Sequence, residues 1–258
     1  MEQAVARDQD QDLTERLVAA LRQDEFVLYG QEIAPLATNR IERPFQEIFI
    51  RFQEEEAKLL PPGSFFPVLE ECGLMPYVDR WVVSRICRWV RSALAISVDW
   101  PVPQNSINLS AATLSDRNFA EFTCKHLRAA ALPEGSVSFE VTCDSAALQV
   151  KALLGMMAQL KPSGCSFVLA RFDGGVETFE LLRRLAPEYV KLSPGLVRLL
   201  DQGRAGVERV DDIVGACHAL GVRTIAEHVE SDRTLAQLRG LGVHFGQGFG
   251  IQAPRPLG

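Results

Sequence analysis

Eight short apolar runs follow one another along the chain, separated by stretches whose hydrophobic residues fall at helical spacing. The runs are FVLYGQEI from Phe26, FQEIFIR from Phe45, SINLS from Ser106, VSFEVT from Val137, SFVLA from Ser166, YVKL from Tyr189, RTIAE from Arg223 and FGQGFG from Phe245. Their lengths and their β-branched and aromatic content predict strands. Between them, Val78, Trp81, Val82, Ile86, Trp89 and Val90 make one apolar stripe. Ile213, Val214, Cys217 and Leu220 make another, and Leu235, Leu238 and Leu241 follow a Ser231 cap. Strand and helix alternation over 258 residues, 47% of them hydrophobic, predicts an α/β fold built as a single (β/α)8 TIM-like barrel with one large core. An open doubly wound sheet fits less well, because no Gly-x-Gly-x-x-Gly turn follows the first run. Ahead of the barrel, Met1–Gln11 is polar, and Leu13, Leu17, Val18 and Leu21 recur at helical spacing behind an Asp12–Glu15 capping pair. The chain thus divides into residues 1–22, a polar segment with a lead-in helix, and residues 23–258, the barrel domain.

The formal net charge of −6 argues against a partner made of DNA or RNA, which calls for a basic surface to neutralise phosphates. A small anion in a locally basic pocket remains compatible with that charge. Six cysteines (Cys72, Cys87, Cys124, Cys143, Cys165, Cys217) are scattered without a Cys-x-x-Cys pair, which predicts reduced thiols and a cytoplasmic protein. The four histidines are equally dispersed, against a zinc site. No apolar run approaches the ~18 residues of a membrane span.

In a barrel of this kind function gathers where the strands end, so polar residues late in each apolar run are the candidates. Glu47 lies in FQEIFIR with Arg51 on the same face, since strand side chains alternate with period two. Asn108 sits in INLS, Glu140 in FEVT, Lys191 in YVKL, Glu227 in TIAE and Gln247 in FGQGF. Singly, each also reads as a solvated or turn residue. Together they form a ring of oxygen ligands with one amine, a set suited to hard divalent cations and phosphoryl chemistry.

LYGQEI resembles the Tyr-x-Gln-Pro-Ile opening of the EAL-domain family of cyclic di-GMP phosphodiesterases, and EIFIR resembles its Glu-Ala-Leu-x-Arg signature. PPGSFFPVLEECGLMPYVDRWV is similar to that family's Pro-x-x-Phe-x-Pro and Asp-x-Trp-Val segment. INLS, FEVT, YVKL, AEHVES and GQGFGIQAP follow in the family's order, so the resemblance covers Phe26 to Pro254. It implies a modified barrel whose first strand runs antiparallel to the rest. It also implies a metal shell including Glu47, Asn108 and Glu140, with Lys191 and Glu227 near the attacking water. The ligand cradle it implies takes in Gln31 and Arg51, together with Phe65, Asp79 and the turn from Gln247 to Phe249. Arg51 presents a planar fork that matches a phosphodiester.

The pattern breaks where the family has Asp-Asp-Phe-Gly-x-Gly. Here the segment reads Ala170-Arg171-Phe172-Asp173-Gly174-Gly175, and Asp173 lies farther along, in the loop. Two carboxylates are lost and a guanidinium is gained, a change that repels metal. Ser193 replaces the aspartate of Lys-Ile-Asp, Cys143 replaces a glutamate, and Ile48-Phe49 replaces Ala-Leu. The resemblance with these departures implies a catalytically inactive domain, a bacterial signalling module that serves as a cyclic di-GMP receptor without a metal cofactor. In that reading Lys191 and Glu227 are vestigial catalytic residues, Glu47, Asn108 and Glu140 a vestigial metal shell, and Arg171 a stand-in for cation charge that pairs with Glu47 or Glu140 or touches a ligand phosphate. Two alternatives stay open: a protein-interaction pseudoenzyme that no longer binds nucleotide, and a weak residual phosphodiesterase using Mg²⁺ or Mn²⁺. An unidentified protein partner is expected, and a homodimer is allowed.

Overall fold

A computed structural model describes residues 14–37, 42–53, 59–60 and 62–257. The polar segment Met1–Gln11 and the Asp12 half of the expected cap lie outside the described residues. The strands are β1 (Phe26–Glu32), β2 (Ala34–Pro35), β3 (Phe45–Gln53), β4 (Leu59–Leu60), β5 (Gln104–Asn108), β6 (Val137–Thr142), β7 (Ser166–Phe172), β8 (Tyr189–Leu192), β9 (Arg223–Ala226), β10 (Phe245–Gly246) and β11 (Arg255–Pro256). Around the sheet the order runs β1-β3-β5-β6-β7-β8-β9-β10-β2, while β4 pairs β3 and β11 pairs β1. Because β2 continues the run that begins as β1, the sheet starts and finishes on one stretch of chain and curls into a barrel. Strand β1 lies antiparallel to β3, Tyr29 opposite Phe49, and β2 is antiparallel to β10. The strands from β3 round to β10 are parallel, so the antiparallel first strand is present. Each of the eight apolar runs contributes a strand. The last does so only through Phe245–Gly246, before the chain turns at Gly248 and Gly250. A Cβ on Gly248 would stand 2.3 Å from the Val229 carbonyl oxygen, so this turn lies directly on the loop after β9 and needs glycine there.

Helices cover the outside. Residues 14–23 form α1, followed by α2 (Pro62–Glu71), α3 (Met75–Ile96), α4 (Ala111–Leu114), α5 (Phe119–Ala129), α6 (Cys143–Leu148), α7 (Val150–Leu160), α8 (Val176–Leu185), α9 (Pro194–Leu199), α10 (Arg204–Ala219) and α11 (Asp232–Gly240). The stripe read from the sequence is the buried face of α3, which turns Val78, Val82, Val83, Ile86 and Val90 inward. Ser110, Thr142, Ser193 and Ser231 each cap the helix that follows a strand end, their hydroxyls accepting from the backbone N–H three residues on. Helix α1 packs into the body of the domain: Leu17 and Ala20 join Phe26, Ile50, Phe52, Phe65, Leu69, Met75 and Val78 in one cluster. None of the described helices is long and apolar enough to cross a membrane.

Inside the barrel, Ile33, Phe45, Val168, Tyr189, Ile225 and Phe245 close the floor as a separate apolar cluster. Period-two alternation then decides what stands above it. Two residues beyond Phe45, Tyr189, Ile225 and Phe245 come Glu47, Lys191, Glu227 and Gln247. On the antiparallel strand the corresponding residue lies two before Ile33, at Gln31. Two residues beyond Val168 comes Ala170, the one apolar member of this layer.

Candidate functional site at the barrel mouth

The floor-plus-two layer is a connected polar network. Lys191, 1% exposed, places Nζ 2.8 Å from Glu47 Oε2 and 2.6 Å from Glu140 Oε2. Asn108 Nδ2 donates to Glu47 Oε1 at 2.7 Å, and Gln247 Nε2 donates to Glu47 Oε2 at 2.7 Å and to Gln31 Oε1 at 3.0 Å. Gln31 Nε2 in turn donates to the Gln252 carbonyl at 2.9 Å. Gln247 Oε1 is buried without a partner among the described residues.

Burial alone would raise the Glu47 carboxyl, but the Lys191 ammonium and donors from Asn108, Lys191 and Gln247 outweigh it and hold the group below its ordinary value. Glu140 goes the other way: burial and then the neighbouring Glu47 charge push it up to about 7, against the pull of Lys191. For Lys191, burial favours the neutral amine, yet two carboxylates at contact distance overcome this and keep the ammonium charged. Burial also raises Glu227; Lys191, His228 and Arg171 oppose that rise, and Glu47 adds to it.

At the rim, Arg51 lies on the Glu47 face of β3, its guanidinium 5.5 Å from the Tyr29 ring centroid and 5.7 Å from that of Phe49. Phe249 is 72% exposed at the tip of the turn after β10. Tyr29, Phe49 and Ser106, whose hydroxyl lies 3.4 Å from Glu140 Oε2, belong to the mouth but were missed in the sequence. Tyr29 and Phe49 share the faces of Gln31 and Glu47 by the same alternation, so the signal for them was present.

Two cradle expectations are corrected. Phe65 is fully buried in the aromatic cluster with Phe26, Phe52 and Phe66, where its ring fills space between α2 and the sheet instead of facing the mouth. Asp79 lies on α3 beneath the start of α4, where Oδ2 accepts from Ser110 N at 2.9 Å, Ser110 Oγ at 2.9 Å and Thr113 Oγ1 at 2.5 Å. It ties two helices together. A third correction concerns Arg171, which is exposed and pairs with neither Glu47 nor Glu140; Lys191 already supplies their counter-charge. Asp173 stays in its loop, accepting from Gly175 N at 2.9 Å and Thr178 Oγ1 at 2.8 Å.

Divalent metals are what the resemblance implies for such a mouth, and the residues do not fit them. Lys191 and Asn108 hold Glu47 and Glu140 in one network, but Ala170 and Arg171 stand where carboxylates are needed to bridge two cations. Among the described residues no three His, Cys, Asp or Glu side chains gather to hold a metal ion.

The fold and mouth define a class: a modified (β/α)8 barrel with an antiparallel first strand and a carboxylate, amide and amine cluster at its strand ends. The EAL domain model matches residues 14–254, and the chain belongs to the EAL domain family. It is 30% identical over 242 residues to the cyclic di-GMP phosphodiesterase PdeB of Shewanella oneidensis, covering 94% of this chain and 28% of PdeB. It thus spans less than a third of that relative. Among solved structures it is similar to the FimX EAL domain of Pseudomonas aeruginosa bound to c-di-GMP, with a TM-score of 0.87, 23% identity and coverage of 96% of this chain and 97% of that one. It is also similar to the c-di-GMP complex of the phosphodiesterase MucR of Pseudomonas aeruginosa, with a TM-score of 0.83, 26% identity and coverage of 95% and 98%.

Proposed function

We propose that this EAL domain binds cyclic di-GMP without hydrolysing it and acts as a cytoplasmic receptor that passes ligand occupancy to a protein partner. The observation that carries this reading is the end of β7, where Ala170 and the exposed Arg171 stand in place of the paired carboxylates that the resemblance implies, while the Lys191 ammonium pairs with Glu47 and Glu140. The mouth lacks the further carboxylates that a two-metal site requires. Hydrolysis of a phosphodiester at neutral pH draws on metal both to generate hydroxide and to take up developing charge. Meanwhile the features that could hold a nucleotide remain: Arg51 between two rings and the exposed Phe249 at the rim, with the buried Gln31–Gln247 amide pair beneath them. FimX and MucR are both known as c-di-GMP complexes, which supports the choice of ligand.

Turnover is the test. Incubated with cyclic di-GMP and either Mg²⁺ or Mn²⁺, the protein is expected to leave the cyclic ligand intact over hours by chromatography. Linear dinucleotide accumulating in proportion to protein concentration would overturn the reading.

A further inference from the structure

Strand β7 slips against β8 near its end. Leu169 is paired with Val190 and Phe172 with Leu192, so Ala170 and Arg171 together stand opposite Lys191. An extra residue of this kind bends the strand and re-aims its side chains. Phe172 returns to the outer layer, where its ring meets Phe179 at 5.0 Å, and Arg171 takes a left-handed backbone with φ of 58°. Few non-glycine residues adopt that conformation, and those that do concentrate at functional sites. The exposed Arg171 guanidinium feels the Glu227 charge but makes no hydrogen bond or ion pair with a described residue.

A second strained residue stands on the other side of Lys191. His228 directly follows Glu227 after β9, is exposed, and has φ of 57°. Strands β7 and β9 flank β8, so Arg171 and His228 bracket the edge of the mouth above the buried Lys191. Deeper in, Gln247 Oε1 is buried and lacks a donor among the described residues. Arg51 and Arg171 stand at the mouth as cationic side chains that no carboxylate ion pair occupies among the described residues.

We propose that Arg171, with His228 beside it, is the anion clamp of this mouth, gripping a phosphodiester of a cyclic dinucleotide by the guanidinium fork where a metal-dependent site would use divalent ions. This rests on the reading that the domain binds cyclic di-GMP without metal. The guanidinium suits the role because it offers two parallel N–H donors to paired phosphate oxygens.

Calorimetric titration of cyclic di-GMP in EDTA into wild type, Arg171→Gly, Arg171→Lys and His228→Gly tests the clamp. Glycine is chosen because it accepts the left-handed backbone, so these variants keep the fold. Arg171→Gly is expected to weaken binding by about tenfold or more. Arg171→Lys should fall between the two, keeping charge without the fork, and His228→Gly should weaken binding less than Arg171→Gly. Wild-type affinity in Arg171→Gly, with wild-type binding intact, overturns the clamp alone. Failure of the wild-type chain to bind in EDTA overturns the metal-free reading and the clamp with it.

Discussion

Lys191 has exchanged water for two carboxylates, and its substitution exposes how much the mouth depends on that exchange. Lys191→Met removes the ammonium that holds the Glu140 carboxyl down, so the folded variant must take up a proton between Glu47 and Glu140, a loss of about 3 kcal/mol in urea unfolding at neutral pH. The cost of that proton falls as pH drops, so the deficit should shrink in acid; a deficit independent of pH would contradict the triad. Asp79 has the opposite linkage. Burial, resisted by the donors of Thr113 and Ser110, pushes its carboxyl up to about 6 from an ordinary 3.8. The folded state therefore holds a proton that the unfolded state releases, and the resulting stability is fully present below about pH 3.8 and lost as pH rises through about 6. A shift of this size corresponds to about 3 kcal/mol. Comparison of urea midpoints from pH 4 to pH 7 should show this fall in the wild type and not in Asp79→Asn; parallel profiles would exclude it. At this scale Glu47, Lys191, Glu227 and Gln247 were legible because alternation along a strand fixes which face a residue joins. Phe65 and Asp79 were not, since their place depends on how α2 and α3 pack on the barrel, which no local spacing encodes.

Among the elements, strands were the most legible, because each is bounded by polar or turn residues and is rich in β-branched and aromatic side chains. The Ser231 cap and the α3 stripe were equally open to local reading. The slip in β7 was not: an extra residue shows only against the partner strand, and SFVLARF alternates acceptably without it. That slip explains why Arg171 faces the rim instead of closing onto Glu47. Close approach between elements was also hidden. Gly206 lets α10 rest on the turn after α9, where a Cβ would come within 2.0 Å of the Leu199 carbonyl oxygen. Gly206→Ala should therefore destabilise the protein by about 1–3 kcal/mol despite alanine's better helix propensity. A stability equal to or above wild type would show that the α9–α10 junction yields freely.

At the scale of the domain, the barrel floor is sealed by rings and aliphatic side chains, and a buried lysine holds two glutamates together at the mouth. The closed architecture could be read from the rhythm of strands and helices, and the direction of the first strand from resemblance alone. The internal ion triad could not, because it joins β3, β6 and β8 across the barrel and appears only once the sheet has curled. Ala170 and Arg171 in place of two carboxylates are what sets this mouth apart from the family's metal-binding pattern. The most direct measurement is calorimetric titration of cyclic di-GMP into the protein in EDTA and again in excess Mg²⁺. The expected result is saturable binding with the same Kd in both buffers and no heat of turnover after saturation. Binding that appears only with Mg²⁺, or heat that continues as the cyclic ligand is consumed, would contradict a metal-free receptor.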